Sequence, residues 1–193
     1  MTNPVTLFKQ WFEEALAHPD LREPTAMSVA TCTTEGRPSN RILLLKQVDE
    51  QGFVFFTNYE GRKSLELAKN PHAALCFYWM PLDKQVRIEG RAEKVSDSES
   101  DAYFASRERG RQIGAWASQQ SQQLESREAL NARAEAIEAR YAGKAIPRPP
   151  HWGGWRVVPE RIEFWHQGNF RLHDRFVFTR SKTGDWVKTY LYP

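Results

Sequence analysis

Short apolar or alternating runs dominate two parts of the chain, residues 27–94 and 152–193. In the first part MSVATC, NRILLLKQV and FVFFTN are separated by the turn-forming stretches TTEGRP and DEQG, and AALCFYWM and QVRIEGRAEKV follow. Alternation at every second residue is typical of strands with one buried face, and such turns join antiparallel neighbours. The first three runs therefore predict a three-stranded meander. The last strands are predicted at GWRVV, RIEFW, FRLHDRFVFTR and DWVKTYLYP.

Helical spacing marks the N-terminus and the region between these two parts. Residues 4–18 carry apolar side chains at helical intervals, and residues 61–70 predict a short helix. Ser96 is a predicted helix N-cap, with Glu99 three residues later as in a capping box. A charged, alanine-rich helix is expected over residues 124–142.

The order of these elements predicts one domain that spans residues 1–193. Its fold class is mainly β: an antiparallel barrel with peripheral helices, including an N-terminal helix at about residues 4–18 and a helical insertion at about residues 97–142. The composition can build a packed core, since 40% of the residues are hydrophobic and 12% are aromatic.

Charge and cysteine usage narrow the class of protein further. The net charge of +3 is too small, without a basic stripe, to indicate a nucleic-acid partner. No apolar run has the length of a membrane span, and the N-terminus lacks a signal-peptide apolar region, so we expect a cytoplasmic protein. Cys32 and Cys76 lie in apolar runs, where two buried thiols are favoured over a disulfide. The histidines and cysteines show no metal-ligand spacing, so no metal site is expected.

The segment RLHDRF, residues 171–176, carries an unusual set of charges. If the segment is extended, Arg171, His173 and Arg175 share one face of a strand. Two guanidinium groups and an imidazole on one surface favour an anionic ligand, with a histidine that can move a proton. A solvent-facing row of a barrel explains the segment equally well when it is taken alone.

Two further groups of cations flank apolar strands. Arg41 and Lys46 stand at the two ends of RILLLK, and because the leucines are expected to be buried, Lys46 must emerge at the strand end. A helix beginning near Gly61, where GRKS supplies two cations and a hydroxyl, is a candidate phosphate cradle. An ordinary charged helix N-terminus is the alternative, although basic residues oppose the helix dipole there unless an anion is bound.

Amide side chains supply the remaining candidate chemistry. Residues 112–121 are interpreted as an amide-rich loop around Trp116, and Gln85 heads the strand QVRIEG. Amides both donate and accept hydrogen bonds, which suits the edge of a heterocycle, although a polar linker between helices is the alternative. Known nucleotide-binding and nucleophile motifs are absent from the sequence. The residues alone therefore favour a barrel that binds a phosphorylated, planar ligand.

Several blocks occur together in one order, namely REPTAMSVATC, RILLLK, FVFFTN followed by RKS, FYW with PLDKQVRIEG, QIGAW, IEFW and RLHDRF. In these blocks and their spacing, from about residue 6 to the C-terminus, the chain resembles the pyridoxine 5′-phosphate oxidase family. The resemblance implies an FMN-binding split β-barrel with Greek-key-like connections. It also implies a homodimer with one FMN in each of two clefts at the subunit interface.

Matched position by position, the resemblance implies site residues from both subunits. The FMN contacts would fall on Arg41, Ile42, Leu43, Leu44, Leu45, Lys46, Phe56, Thr57, Arg62, Lys63, Gln85, Gln120, Ser121, Trp165 and Arg175. The substrate contacts would fall on Lys46, Tyr103, Arg107, Arg111, Arg171, Leu172 and His173. Arg171 and His173 would be the catalytic pair over the substrate ring.

The reaction implied by the resemblance is oxidation of pyridoxine 5′-phosphate or pyridoxamine 5′-phosphate at C4′ to pyridoxal 5′-phosphate. A hydride equivalent would pass to FMN, and O2 would be reduced to H2O2. Arg171 and His173 would position the substrate and polarise its alcohol or amine, with His173 as a candidate proton acceptor.

Two positions depart from the family's pattern. Arg111 replaces a serine that helps to bind the substrate phosphate, and it either contacts the phosphate or turns outward. Glu108 replaces a proline, so the loop is expected to bend differently and to bring a carboxylate near the phosphate.

Besides a nucleic-acid binder, two alternatives stay open, one among the enzymes and one in another functional class. One is a related flavin oxidase of the phenazine-pathway type, which acts on a larger tricyclic substrate; Lys46, Tyr103 and Arg107 argue against it because they suit a phosphate. The other is a non-catalytic protein that binds FMN or pyridoxal phosphate, and the Arg171 and His173 pair argues against it. A nucleic-acid binder would need exposed aromatics interleaved with a basic face.

Overall fold

The computed structural model describes residues 3–193, and its strands form one antiparallel sheet. The strands are β1 (Ala26–Cys32), β2 (Pro38–Leu44), β3 (Gln47–Asp49), β4 (Gly52–Asn58), β5 (His72–Trp79), β6 (Lys84–Lys94), β7 (Trp152–His166), β8 (Asp174–Arg180) and β9 (Trp186–Leu191). They pair in the order β2-β1-β5-β6-β7-β4-β3, while β8 pairs with β7 and β9 with β8. The sheet curls into a half-barrel, which confirms the predicted mainly β, antiparallel fold class.

Strand β7 joins the two halves of the sheet because it is long enough to have two partners along one edge. Its first part pairs with β4, its second part pairs with β8, and β6 runs along its other edge. The sequence predicts two separate strands here, GWRVV and RIEFW, but the chain stays extended across Pro159. The register between β6 and β7 shifts at this point, so a proline without an N–H group is tolerated at an irregularity of the ladder.

The barrel core is rich in aromatic rings, and the N-terminal helix, α1 (Pro4–Ala17), packs against it. Asn3 caps this helix, since its side chain accepts a hydrogen bond from the backbone N–H of Val5 at 2.9 Å. Phe8 is fully buried and packs edge-on against Phe53 and Phe77, with ring centroids 4.8 and 5.1 Å away. Burial of such a ring contributes about 1.5–3 kcal/mol, so α1 is held by its apolar face.

Four further helices follow in the chain, namely α2 (Arg62–Lys69), α3 (Asp97–Ala105), α4 (Arg109–Ala117) and α5 (Arg127–Arg140). Of these, α2, α3 and α4 contribute residues to the clefts described below. Helices α3 to α5 follow one another between β6 and β7, where the sequence predicts a helical insertion, and α3 begins after Ser96, whose hydroxyl accepts from the N–H of Glu99. A small core of Phe104, Ile146 and Trp152 fixes the insertion to β7.

The predicted three-stranded meander is wrong. Strand β2 pairs with β1 alone, whereas β4 pairs with β3 and β7, so the run NRILLLKQV is divided between β2 and β3. The backbone changes partners within two residues, because the N–H of Leu45 donates to Thr25 O at 2.8 Å and the N–H of Lys46 donates to Val54 O at 2.9 Å. The chain therefore crosses from one end of the curled sheet to the other at Lys46.

The sequence favours two buried thiols over a disulfide for the two cysteines. Cys32 and Cys76 are free thiols, half-buried rather than fully buried. Burial raises the pKa of the Cys76 thiol, so it is protonated at neutral pH. Within residues 3–193, no helix is long and apolar enough to cross a membrane.

Candidate active site

A cavity of about 470 Å³ opens between strands β2 and β4 and helices α3 and α4. One wall is formed by three aromatic rings. The ring centroids of Phe56 and Tyr103 are 4.0 Å apart, those of Tyr103 and Trp152 are 6.2 Å apart, and the rings of each pair are nearly parallel. The polar side of the cavity carries the side chains of Lys46, Thr57, Asn58, Arg107, Arg111, Ser118 and Gln120. A flat apolar wall opposite cations and amides fits a planar, negatively charged ligand.

Among the cations of the cavity, Arg107 has the surroundings that best suit a bound anion. Its Nη1 atom is buried and has no hydrogen-bond partner within residues 3–193, while its guanidinium lies 4.7 Å over the ring of Trp152. Burial lowers the pKa of Arg107, Tyr103 opposes this shift, and the charge of Arg111 adds to it. A buried donor without a partner costs free energy, so an anion that accepts from Nη1 would be bound favourably.

Arg111 lines the same cavity from the first turn of α4. It does not turn wholly outward, but its Nε atom is engaged by Glu108 Oε2 at 3.2 Å, and both side chains are exposed. Exposed ion pairs are weak, so a phosphate can compete with Glu108 for this guanidinium. The carboxylate expected near the phosphate-binding residues is therefore present, and it is paired with Arg111.

A second cleft of about 390 Å³ adjoins the first and holds three cations, Arg41, Arg62 and Lys63. Lys63 is buried, and its ammonium donates to Thr57 Oγ1 at 3.0 Å and to Gln120 Oε1 at 2.6 Å. Burial and, to a smaller extent, the nearby charge of Arg41 together lower the pKa of Lys63 to about 8. Like charges collected in a small cleft are most stable when an anion is present.

The start of α2, in the GRKS segment, borders this cleft through Arg62 and Lys63. Gly61 is the N-cap residue and makes no side-chain capping bond, so the helix relies on neighbouring groups. The N–H of Arg62 donates to Ser121 Oγ at 3.2 Å, and Ser121 itself adopts a left-handed backbone conformation with φ of 70°. Strain of this kind at a non-glycine residue is common at ligand sites.

The other predicted site residues form a separate group on the sheet. Gln85, Trp165 and Arg175 lie side by side on β6, β7 and β8, and the ring of His173 is 4.7 Å from that of Trp165. Arg175 donates to the buried carboxylate of Glu163 at 2.7 Å. None of these residues lines either of the two clefts described above.

The prediction of one strand face for Arg171, His173 and Arg175 is wrong. Strand β8 begins only at Asp174, and the preceding residues Asn169–Arg171 form a 3₁₀ turn in which Arg171 has a left-handed φ of 65°. The turn is closed by the N–H of Gly168, which donates to His173 Nδ1 at 3.2 Å. The Gly-Asn pair before the segment was the available signal for a turn.

The expectation that the RILLLK leucines are buried is also wrong in part. Leu45 is 3% exposed and belongs to the barrel core, so it does not line the cavity, whereas Ile42 is 63% exposed. Leu43 and Leu44 are half-buried and line the cavity with Ile42. Strand β2 is at the end of the strand order and pairs with β1 alone, so fewer neighbouring side chains cover it.

The amide-rich loop predicted over residues 112–121 is mostly helix, because α4 continues to Ala117. The side chain of Gln112 donates to Phe104 O, and Trp116 donates to Pro147 O, so both bind the insertion rather than a ligand. Only Gln120 and Ser121, beyond the helix, reach the cationic cleft. In the part of the chain that the structure describes, no cluster of metal-ligating side chains is present.

Comparison with protein families decides the classification. Residues 13–141 match the model described as pyridoxamine 5′-phosphate oxidase, and residues 152–193 match the pyridoxine 5′-phosphate oxidase C-terminal dimerisation region. The chain belongs to the pyridoxamine 5′-phosphate oxidase family. The predicted family is confirmed, and so is the enzyme class, an oxidoreductase.

Other members of the pyridoxamine 5′-phosphate oxidase family are similar along almost the whole chain. A Myxococcus xanthus (strain DK1622) protein is 56% identical over 191 residues, covering 99% of this chain and 92% of the relative. A Burkholderia vietnamiensis (strain G4 / LMG 22486) protein is 61% identical over 179 residues, covering 93% and 83%. Both relatives carry the name pyridoxine/pyridoxamine 5′-phosphate oxidase.

Solved structures show the same architecture. PhzG from Burkholderia lata 383, crystallised with tetrahydrophenazine-1-carboxylic acid, superimposes with a TM-score of 0.94 at 36% identity, covering 100% of this chain and 94% of that one. A pyridoxamine 5′-phosphate oxidase-related, FMN-binding protein from Nostoc punctiforme PCC 73102 superimposes with a TM-score of 0.78 at 16% identity, covering 100% of both chains. The second likeness supports the split-barrel fold alone.

Some residues that contribute to this family site are not singled out by the sequence. Trp152 supplies one side of the aromatic wall, and Glu163 and Glu66 bind the arginines from behind. Glu66 follows Arg62 by four residues, a spacing that places both on one helix face and could have indicated the pair. Glu163 pairs with Arg161, two residues earlier on β7, but its other partners, Arg87 and Arg175, come from different strands and are not indicated by spacing along the sequence.

Proposed function

We propose that this chain is an FMN-dependent oxidase that converts pyridoxine 5′-phosphate and pyridoxamine 5′-phosphate to pyridoxal 5′-phosphate, reducing O2 to H2O2. The observation that carries the proposal is Arg107, which lines a cavity with Lys46 and Tyr103 and whose buried Nη1 atom has no hydrogen-bond partner in residues 3–193. A second cationic cleft adjoins this cavity. Two neighbouring anion sites fit the phosphate of the substrate and the phosphate of FMN.

The residues present fit FMN in the second cleft. Arg41, Arg62 and Lys63 supply the charge that a phosphate needs, and the Gln120 side chain between the two clefts can reach the polar part of a flavin. When bound, FMN supplies the two-electron chemistry that the side chains of the protein lack. The protein contributes the orientation of the two rings and the electrostatics around them.

A homodimer would complete the site, and the matched dimerisation region supports one. Gln85, Trp165 and Arg175 lie outside both clefts of their own protomer, together with His173 and Arg171. Arg171 and Leu172 are exposed, and the neighbouring Phe170 is 95% exposed, which is unusual for an aromatic ring at a turn. In the proposed assembly these residues face the cavity of the partner subunit and cover the substrate.

The hydrogen bond of His173 defines what this histidine can do. Because Nδ1 accepts from the N–H of Gly168, the neutral imidazole carries its proton on Nε2. His173 would therefore donate a hydrogen bond to the C4′ oxygen or nitrogen rather than remove a proton from it. Arg171 would hold and polarise the same group from the adjacent turn.

A second candidate is oxidation of a tricyclic carboxylic acid, favoured by the close superposition on PhzG. The two candidates differ in the anion they require. The aromatic wall can accept a tricyclic ring, but a cavity that combines Lys46, Tyr103, Arg107 and Arg111 provides more positive charge than one carboxylate needs. The greater identity to pyridoxine/pyridoxamine 5′-phosphate oxidases also supports the first candidate.

The proposal is tested by single-turnover reduction in the absence of O2. FMN-loaded protein mixed with pyridoxine 5′-phosphate or pyridoxamine 5′-phosphate should lose the visible absorption band of oxidised flavin, with one pyridoxal 5′-phosphate formed per flavin. Unphosphorylated pyridoxine at the same concentration should reduce it far more slowly. Reduction by tetrahydrophenazine-1-carboxylic acid alone would favour the second candidate, and flavin that stays oxidised with every compound would contradict both.

The buried ammonium of Lys63 predicts a pH dependence of cofactor binding. Since its pKa in the protein without ligand is about 8, the charged form is lost above that pH. FMN affinity should therefore fall as the pH rises from about 7 to about 9.5, by at most about tenfold per pH unit above the pKa. Fluorescence titration of the apo-protein measures this dependence.

The same group has the opposite effect on stability. The pKa of Lys63 in the folded protein lies below its usual value, so the unfolded chain binds more protons between the two values. The contribution of Lys63 to the unfolding temperature of the apo-protein should therefore become more favourable as the pH rises between these two values, while FMN binding weakens. Lys63→Met should remove both trends, and an equally steep loss of FMN affinity in that variant would contradict the assignment.

A further inference from the structure

A buried carboxylate lies directly behind the cationic cleft. Glu66 is on α2, one turn after Arg62, and only 7% of its side chain is exposed. Its Oε1 atom accepts from Arg62 Nε at 2.9 Å, and its Oε2 atom accepts from Ser39 Oγ at 2.6 Å and from Thr31 Oγ1. Both oxygens are therefore bound by residues that form or support the wall of the cleft.

Arg41 is held by the same two hydroxyl groups. Its Nη1 atom donates to Thr31 Oγ1 at 2.6 Å, and its Nη2 atom donates to Ser39 Oγ at 2.6 Å. An arginine only donates and a carboxylate only accepts, so each hydroxyl must accept from Arg41 and donate to Glu66. The four groups form a closed hydrogen-bonded ring whose direction is fixed by its two charged ends.

This ring ties two cations from different elements to one anion. Arg41 comes from β2 and Arg62 from α2, and the direct distance from Arg41 Nη2 to Glu66 Oε2 is 3.7 Å. Burial alone would raise the pKa of Glu66, but the hydrogen bonds from Ser39, Thr31 and Arg62 outweigh it and lower the pKa to about 2. The carboxylate is consequently ionised at neutral pH, and it restrains both guanidinium groups.

The cleft needs such a restraint, because its cations repel one another without a ligand. Burial lowers the pKa of Arg41 and the charge of Arg62 lowers it further, while Glu66 raises it. The side chain of Arg62 is 62% exposed, so without the bond to Glu66 it would be free to leave the cleft for solvent. A guanidinium that is fixed in advance loses less entropy when it binds an anion.

We propose that Glu66 is the positioning residue of the cofactor site: through the Thr31 and Ser39 hydroxyls it orients Arg41, and by direct contact it orients Arg62, so that the cleft selects the phosphorylated flavin over the unphosphorylated one. This inference rests on the proposed FMN site and deepens it. Glu66 does not touch the ligand in this account. Its effect is confined to the phosphate end, since neither arginine lines the larger cavity.

The test compares two flavins that differ only in the phosphate. Apo-protein is titrated with FMN and with riboflavin by flavin fluorescence, in the wild type, Glu66→Ala and Glu66→Gln. Glu66→Ala should weaken FMN binding by about 10- to 100-fold and riboflavin binding by less than about threefold. Glu66→Gln keeps an acceptor for Arg62 but lacks the charge, and its FMN affinity should lie between the other two.

Glu135→Gln is the matched control, because Glu135 is an exposed carboxylate on helix α5, away from both clefts. Unchanged or tighter FMN binding in both Glu66 variants would overturn the role, as would equal losses for the two flavins, which a purely structural carboxylate would produce. If Glu66→Ala does not fold, the same comparison is made with Glu66→Gln, whose loss of FMN affinity is set against its loss of riboflavin affinity. Wild-type protein that binds neither flavin would instead contradict the proposed function itself.

Discussion

Replacing Arg107 with alanine is expected to raise the KM for pyridoxine 5′-phosphate by about 100- to 1000-fold while leaving kcat within about fivefold. The reason is that Arg107 lines the cavity and that its buried Nη1 atom has no hydrogen-bond partner in residues 3–193. Loss of one partner of a buried charge pair costs about 3–5 kcal/mol. Steady-state kinetics with phosphorylated and unphosphorylated substrates measure the effect.

The stability of the Arg107→Ala variant gives a second, independent readout. In the protein without ligand this guanidinium pays for its burial with no bound anion, so the variant should unfold at an unchanged or higher temperature. Arg127→Ala, at an exposed position at the start of α5, is the matched control and should change neither KM nor stability. A lower unfolding temperature with an unchanged KM would show that Arg107 holds the helical insertion rather than the substrate.

Replacing Arg171 with alanine is expected to lower kcat/KM by about 100- to 1000-fold, as is typical when one polarising donor is removed from a reacting oxygen. FMN retention should stay within about twofold, because Arg171 lies on an exposed turn away from the cationic cleft of its own protomer. Flavin content, measured after gel filtration, reports FMN retention, and steady-state kinetics report kcat/KM.

Two further variants sharpen the test of Arg171. Arg171→Lys keeps the charge but not the planar pair of donors, so it should recover only part of the activity. Arg22→Ala removes another exposed arginine and should leave activity unchanged. Equal losses of flavin and of turnover in Arg171→Ala would contradict the role assigned here and would place Arg171 in the cofactor site.

Local sequence patterns predicted most of the elements but not the way the strands pair. The N-terminal helix, the cap at Ser96 and the strand QVRIEGRAEKV follow from spacing within a few residues, and they are present. The division of NRILLLKQV at Lys46 depends on two hydrogen bonds to distant segments. Such long-range pairings leave no local periodicity, so a simple meander was the natural and incorrect expectation.

The candidate site shows the same division between local and distant information. Individual cations such as Lys63 could be found from the motif GRKS, because backbone N–H groups and charges adjoin in sequence. The Gly-Asn pair signals a turn before Arg171, but the contact of His173 with Trp165 could not be predicted, since it joins the turn to another strand. The ring around Glu66 draws on three separate elements, so no single motif contains it.

The most direct test of the central claim is an aerobic assay of the purified, FMN-loaded protein with pyridoxine 5′-phosphate, following pyridoxal 5′-phosphate and H2O2 in the same sample. Both products are expected to form in equal amounts, with pyridoxamine 5′-phosphate also accepted. Protein that holds FMN but forms neither product from either substrate would retain the fold and the cofactor site and contradict the proposed activity.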